Sequence, residues 1–215
     1  MCNRFIMVPQ DVVDEIVREI EAGYALDALP DWRALNPVPD WPAQKQSAYP
    51  RSEVPVILPQ EGRLGSQVMK WGYEVPWSKG VIFNTRCDTA MRPGSNMWAE
   101  SLRSRRCIVP TFGFFEPHQS ETLTDPRTGK ERRQQYLFTL PGSPVLFIAG
   151  IYEGGSFSLM TTEPNASVMP VHDRMPLVLR EGETGTWLNG DFPSLFDRGA
   201  IPLRAEKEVL QPSLF

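Results

Sequence analysis

The sequence predicts a single α+β domain with a mostly antiparallel β core and a few flanking helices, on three observations. The chain has 215 residues, enough to bury one sizeable core without staples. Short apolar segments of strand length recur from Val54 to Leu179, each closed by turn signals and with no linker to divide them. Sustained helical periodicity is confined to one stretch near the start, and the whole of 1–215 is therefore taken as one domain.

That stretch is Asp11 to Leu26, where Val12, Val13, Ile16, Val17 and Ile20 recur at helical spacing, with Asp11 as the expected N-cap. From Pro30 to Pro50, five prolines are interleaved with Trp32, Trp41 and Tyr49, which argues against a helix or central strand and predicts a surface loop, either ordered and pinned by aromatics or partly mobile. Val54–Leu58, Gln67–Trp71 and Val81–Asn84 read as strands, the last running on into Arg86. Met97–Leu102 reads as a short helix, and Arg106–Pro110 as a strand leaving through Phe112-Gly-Phe-Phe-Glu116. Glu121–Glu131 is expected to be a hairpin-like or mobile loop, followed by a meander of Gln135–Leu140, Val145–Tyr152 and Phe157–Thr161. Prolines on both sides of His172 place it on a rigid loop entering a strand. Thr184–Leu188 starts a final helix, and the tail from Pro202 carries little signal.

The net charge of −4 argues against coating nucleic acid by bulk positive charge, although Arg103-Ser-Arg-Arg106 and Arg132-Arg133 leave room for a basic cleft or for solvated basic faces. Three widely spaced cysteines, Cys2, Cys87 and Cys107, predict free thiols in a reducing compartment. No apolar run is long enough to span a bilayer, so a soluble protein without membrane contact is expected. Two histidines and three cysteines without ligand spacing disfavour a metal site.

Four polar residues stand out: Cys2 behind the initiator, Asn84 after Val-Ile-Phe, Glu116 after Phe-Gly-Phe-Phe, and His172 between prolines. Each has a plain structural reading, as a frayed terminus, a turn cap, an exposed strand end and a satisfied loop histidine. Together they supply a thiol, an amide, a carboxyl group and a base. If Met1 is removed, Cys2 presents an α-amine beside a thiol, both partly nucleophilic near neutral pH, and an aldehyde meeting them closes a thiazolidine ring. The set suits either that chemistry or a Cys–His hydrolase.

Met1-Cys-Asn-Arg-Phe5, Trp71-Gly-Tyr73, Phe83-Asn-Thr-Arg86, Arg106-Cys-Ile-Val-Pro-Thr-Phe-Gly-Phe-Phe-Glu116, Ala149-Gly150 and Val171-His-Asp-Arg-Met-Pro-Leu-Val-Leu179 occur in this order. Over Met1 to Leu188 the chain thereby resembles the SOS-response-associated peptidase (SRAP) family, leaving 189–215 as a weakly matched tail. The resemblance implies a barrel-like sheet and a protein that shields abasic sites in single-stranded DNA by crosslinking to them, without metal or organic cofactor. It implies that Cys2, freed of Met1 by autoproteolysis or by an aminopeptidase, attacks the C1′ aldehyde of the ring-opened sugar. Asn84 would orient Cys2, Glu116 would shuttle protons, and His172 would assist ring opening and crosslink reversal. Arg4, Arg86 and Arg174 match arginines along the DNA path, with ion pairs to Asp88 or Asp173 as their alternative; Trp77 matches a stacking aromatic, and Pro50 a proline near the DNA.

The resemblance further implies a monomer. Its location would be cytoplasmic in a bacterium or phage, nucleoid-associated when on DNA, and nuclear in a eukaryote. Asn3, Ser47 and Pro117 depart from the family pattern and bear on the DNA grip more than on the core chemistry. Two other readings compete: a Cys2/His172 peptidase acting without DNA, and a non-catalytic single-strand binder relying on Trp77 and the arginines.

Overall fold

The computed structural model describes residues 1–23, 46–94 and 96–210. Strand β1 (Arg4–Met7) leads into helix α1 (Gln10–Ala22), and β2 (Ser47–Ala48) precedes β3 (Glu53–Gln60) and β4 (Arg63–Trp71). Next come β5 (Tyr73–Glu74), β6 (Val81–Ile82), β7 (Asn84–Arg86), α2 (Cys87–Ala90) and α3 (Ala99–Ser104). Then follow β8 (Arg106–Thr124), β9 (Glu131–Thr139), β10 (Leu146–Glu153) and β11 (Ser156–Thr162). Last are β12 (Met175–Pro176), β13 (Val178–Leu179), α4 (Thr184–Asn189) and β14 (Arg204–Lys207). Most of the expected proline-rich loop, with Trp32 and Trp41, lies outside the described residues, as does the expected end of the first helix at Leu26.

The sheet closes on itself. β10 pairs antiparallel with both β11 and β8; β11 pairs parallel with β4, β4 antiparallel with β3, and β3 meets β8 at Ile57↔Ile108, completing a circuit. This is the expected mostly antiparallel, barrel-like core. Closure removes the exposed edges that an open sheet of this size would carry. At the β3–β4 hairpin, Glu61 and Gly62 both take positive φ, the geometry that matches strand twist across a two-residue turn.

Because strand side chains alternate, the two faces bury different clusters. Ile57, Ile108, Phe147, Ala149 and Met160 join Val13, Ile16 and Val17 of α1 and Trp187 of α4 on one face. Val54, Val56, Leu58, Cys107, Val109, Ile148, Phe157 and Leu159 gather on the other, together with Phe5, Trp71 and Cys2.

Local departures from expectation have physical causes. The N-cap of α1 is Pro9, in extended conformation and without a side-chain bond, so Asp11 lies in the first turn, where its charge favours the helix dipole. Gly23 takes the left-handed C-cap, and its N–H closes onto the Glu19 and Ile20 carbonyls. The basic run before β8 is not uniformly solvated: Arg106 is buried and donates to the carbonyls of Leu102, Arg103, Trp187 and Leu188, binding α3 and α4 to the sheet. The segment after Leu188 is structural. Ile201 and Leu203 are buried, and β14 pairs antiparallel with β9.

Candidate functional site

The register of β1 against β8, Arg4↔Phe115 and Phe5↔Phe114, carries the chain start alongside Glu116. Cys2 is fully buried, and its thiol donates to the Arg4 carbonyl oxygen at 3.4 Å. Burial first, and the Glu116 charge second, push this thiol far above the ordinary cysteine range. Asn84 stands on β7, parallel to β11 with Asn84↔Leu159, and its Nδ2 donates to the Cys2 carbonyl oxygen at 2.7 Å. A strand position explains why Asn84 is not a turn cap.

Glu116 ends an unbroken run of buried residues that begins at Arg106, and it is itself fully buried. This overturns the reading of an exposed strand end. Neither carboxyl oxygen has a hydrogen-bond partner of good geometry, although Oε2 lies 3.4 Å from the Met1 nitrogen. Burial pushes the Glu116 carboxyl up to about 8, against the opposing pull of the α-ammonium and the Cys2 backbone N–H.

His172 occupies the loop before β12, as expected. Buried Asn165 shapes that loop: its Oδ1 accepts from the Ser167 and Val168 N–H groups, and its Nδ2 donates to the Ile201 carbonyl at 2.6 Å. Sequence reasoning passed over Asn165, although Pro164-Asn165 is a turn-forming pair. Gln119 N–H donates to the Val171 carbonyl at 3.0 Å, joining the loop to β8. Just before it, Pro117 sits where the β8–β9 register shifts, because proline has no N–H to give the ladder. His118 lies on β8 and accepts from the N–H groups of Ser120 and Glu121 through Nδ1.

His172 Nε2 lies 2.8 Å from the Met1 nitrogen and 4.0 Å from Glu116 Oε2. Two proton placements satisfy this geometry. Where the Arg174 N–H donates to Nδ1, at 3.1 Å, Nε2–H donates to a neutral amine; where Nδ1–H faces the Arg174 carbonyl, at 3.2 Å, Nε2 accepts from the ammonium. In both, one proton is held between ring and amine. Burial and then the α-ammonium lower the imidazole pKa, so the ring gives that proton up readily.

The arginines are paired. Arg86 grips Asp88 through Nε (3.1 Å) and Nη2 (2.9 Å), and Arg174 reaches the same carboxylate at 3.5 Å. Arg4 pairs with Glu208 at 2.7 Å and stacks over the Phe115 ring at 3.5 Å, a partner beyond β14 that the sequence does not signal. Trp77 is 71% exposed between β5 and β6. Beside half-buried Pro50, Arg51 reaches Glu74 and the Lys79 carbonyl, which brings the Pro50 and Trp77 segments together on one rim. Ser47 lies in β2, opposite Ile6, and Asn3 is exposed. No cluster of three or more metal-ligating side chains occurs among the described residues. No helix among them is long and apolar enough to cross a membrane.

A family model described as SOS response associated peptidase (SRAP) matches residues 1–201. Among curated proteins, abasic site processing protein YoqW of Bacillus subtilis is 30% identical over 59% of this chain and 58% of its own length, so the match spans about three-fifths of that relative. Abasic site processing protein YedK of Escherichia coli is 24% identical over 89% of this chain and 81% of its own length. Among solved structures, a crystal structure of a Bordetella bronchiseptica protein superposes with a TM-score of 0.67 at 21% identity, covering 97% of this chain and 100% of that one. A Bacteroides thetaiotaomicron protein gives 0.65 at 20% identity, with 96% and 91% covered. These two likenesses concern the fold.

Proposed function

The chain belongs to the SRAP family, and on that footing we propose that it is an abasic-site sensor of single-stranded DNA that crosslinks to the lesion through Cys2 once Met1 is gone. The observation that carries this reading is the convergence of Asn84, Glu116 and His172 on the first two residues. Asn84 holds the Cys2 carbonyl, while Glu116 and His172 both face the α-amine.

Hydrolysis of the Met1–Cys2 bond consumes one water, releases methionine and leaves the Cys2 nitrogen as the new amine. That nitrogen already lies within the influence of Glu116. The amine adds to the C1′ aldehyde of the ring-opened sugar, giving a carbinolamine; proton donation to its hydroxyl expels one water and leaves an iminium. Sγ then adds to C1′, its proton passes to a nearby base, and the thiazolidine closes. A carboxyl poised near 8 can donate and accept a proton at neutral pH, which suits ring opening and water loss. Arg86, Arg174 and Arg4 would hold phosphates, while Trp77 and Pro50 would meet bases at the rim. On this reading the protein works as a monomer wherever its DNA lies, in the cytoplasm or the nucleus, and removal of Met1 is its own peptidase step.

Against the peptidase reading without DNA, the thiol donates to a backbone carbonyl, and His172 faces the amine. The deciding experiment incubates the protein with single-stranded DNA carrying one abasic site and measures its mass after denaturation. The expected product is the mass of the chain from Cys2 plus DNA minus one water, absent for Cys2→Ala. Protein proven to start at Cys2 that yields no adduct would reject the proposal, and binding indifferent to the lesion and to Cys2→Ala would leave a non-covalent binder.

A further inference from the structure

We infer that Asp88 is a positioning residue, which ties the strand bearing Asn84 to the loop bearing His172 through two shared guanidinium groups and releases those groups to DNA phosphates; this rests on the crosslinking function proposed above.

Asn84 and Arg86 stand two apart on β7 and so share a face, and Asp88 follows within the next turn. Its carboxylate takes Arg86 in a two-pronged grip and also takes Nη2 of Arg174, which donates in addition to the Thr161 carbonyl at 2.9 Å. The Arg174 backbone N–H in turn meets Nδ1 of His172. The path runs from the Cys2 carbonyl through Asn84, Arg86, Asp88, Arg174 and His172 to the α-amine. A closed path of this kind fixes the distance between the group that anchors the Cys2 carbonyl and the group that meets the Met1 amine. Reaction geometry is sensitive to such distances: a misplacement of about 1 Å can cost ~10²-fold in rate.

The carboxylate is also exchangeable. Arg86 and Asp88 are about half exposed, and Asp88 and Arg174 border an open cleft of about 360 Å³, so neutralising Asp88 opens no void in the core. A phosphate offers the same fork geometry as a carboxylate, and each guanidinium moved from Asp88 to phosphate releases a counterion from the DNA. Asp88 therefore trades affinity for geometry, and its removal should separate the two.

The test compares wild type with Asp88→Asn and Asp88→Glu. Expected for Asp88→Asn is tighter binding of intact single-stranded DNA at low salt, by several-fold. Its log–log salt slope should stay near that of wild type, because both guanidinium groups already meet phosphate in the wild-type complex. The adduct formation rate at saturating abasic DNA should be several-fold slower, and Asp88→Glu should recover part of it. The chain has two histidines, so ¹⁵N spectra of the imidazoles give a readout that needs no DNA: the His172 signals should shift in Asp88→Asn, and those of His118 should not. Unchanged adduct rate and unchanged His172 signals would overturn the inference. So would parallel losses of binding, rate and melting temperature, which mark a folding role. Wild type that forms no adduct while His172 still shifts would reject the crosslinking function and leave the positioning role standing.

Discussion

The two ends of the candidate site are built on opposite terms. At the amine end, Glu116 is fully buried with only the Met1 nitrogen, at 3.4 Å, as a charged partner, Asn84 Oδ1 is buried without a partner, and the Cys2 thiol is sealed from water. At the guanidinium end, Arg86 and Asp88 are about half exposed and joined to each other. A buried polar group left unpaired costs ~1–3 kcal/mol, whereas an exposed ion pair is worth ~0–1 kcal/mol. The fold thus holds Glu116 and Asn84 at a cost and the Arg86–Asp88 pair at almost none. The groups proposed to react are fixed in the interior, and the Arg86–Asp88 pair proposed to grip a ligand is loose enough to change partner.

The most severe way to break this contrast is Glu116→Gln, which should slow adduct formation ~10²–10⁴-fold, the usual range for a lost proton shuttle. It should also stabilise the protein in a pH-dependent manner. The carboxyl rises from 4.5 to about 8 on folding, so between those values the folded chain keeps a proton that the unfolded chain has released. Wild-type stability therefore falls as pH rises through that window. Melting temperatures at pH 4, 6 and 8 should show no gain for Glu116→Gln at pH 4 and the largest at pH 8; a gain independent of pH would mean that Glu116 is solvated.

Smaller in effect, Trp77→Ala should weaken single-strand binding by ~1–3 kcal/mol if one base stacks on it, as fluorescence anisotropy would measure. With 71% of its surface exposed, it should leave the melting temperature alone. The gentlest change, Arg86→Ala, should alter unfolding free energy by less than ~1 kcal/mol in denaturant titration while lowering the salt slope of DNA binding by ~0.7. A larger loss of stability would show that the guanidinium end is structural, and the contrast would fail.

Much of the sheet is legible because period-two burial and turn chemistry are local. Val54, Val56 and Leu58 face one way and Ile57 the other, and β3, β4, β10 and β11 lie where those patterns predict. Motif order likewise singles out Cys2, Asn84, Glu116 and His172. What local pattern does not carry is burial conferred from a distance. Phe-Phe-Glu-Pro reads as an emerging strand end, yet β1 and β9 pair along both sides of it and the chain start covers Glu116. Arg4 looks free until Glu208, more than two hundred residues on, is brought to it beyond β14. The tail reads weakly because β14 is four residues long with no buried side chain, although the Ile201 and Leu203 anchors before it are buried.

Strand β8 spans 19 residues, sealed as far as Glu116 and half-buried or exposed from Pro117 to Thr124. Along one continuous backbone, amide hydrogen exchange should grade from rates set by global unfolding to rates set by local fraying. Glu116 sits at the step between them, where the sealed half of β8 meets its wetted half.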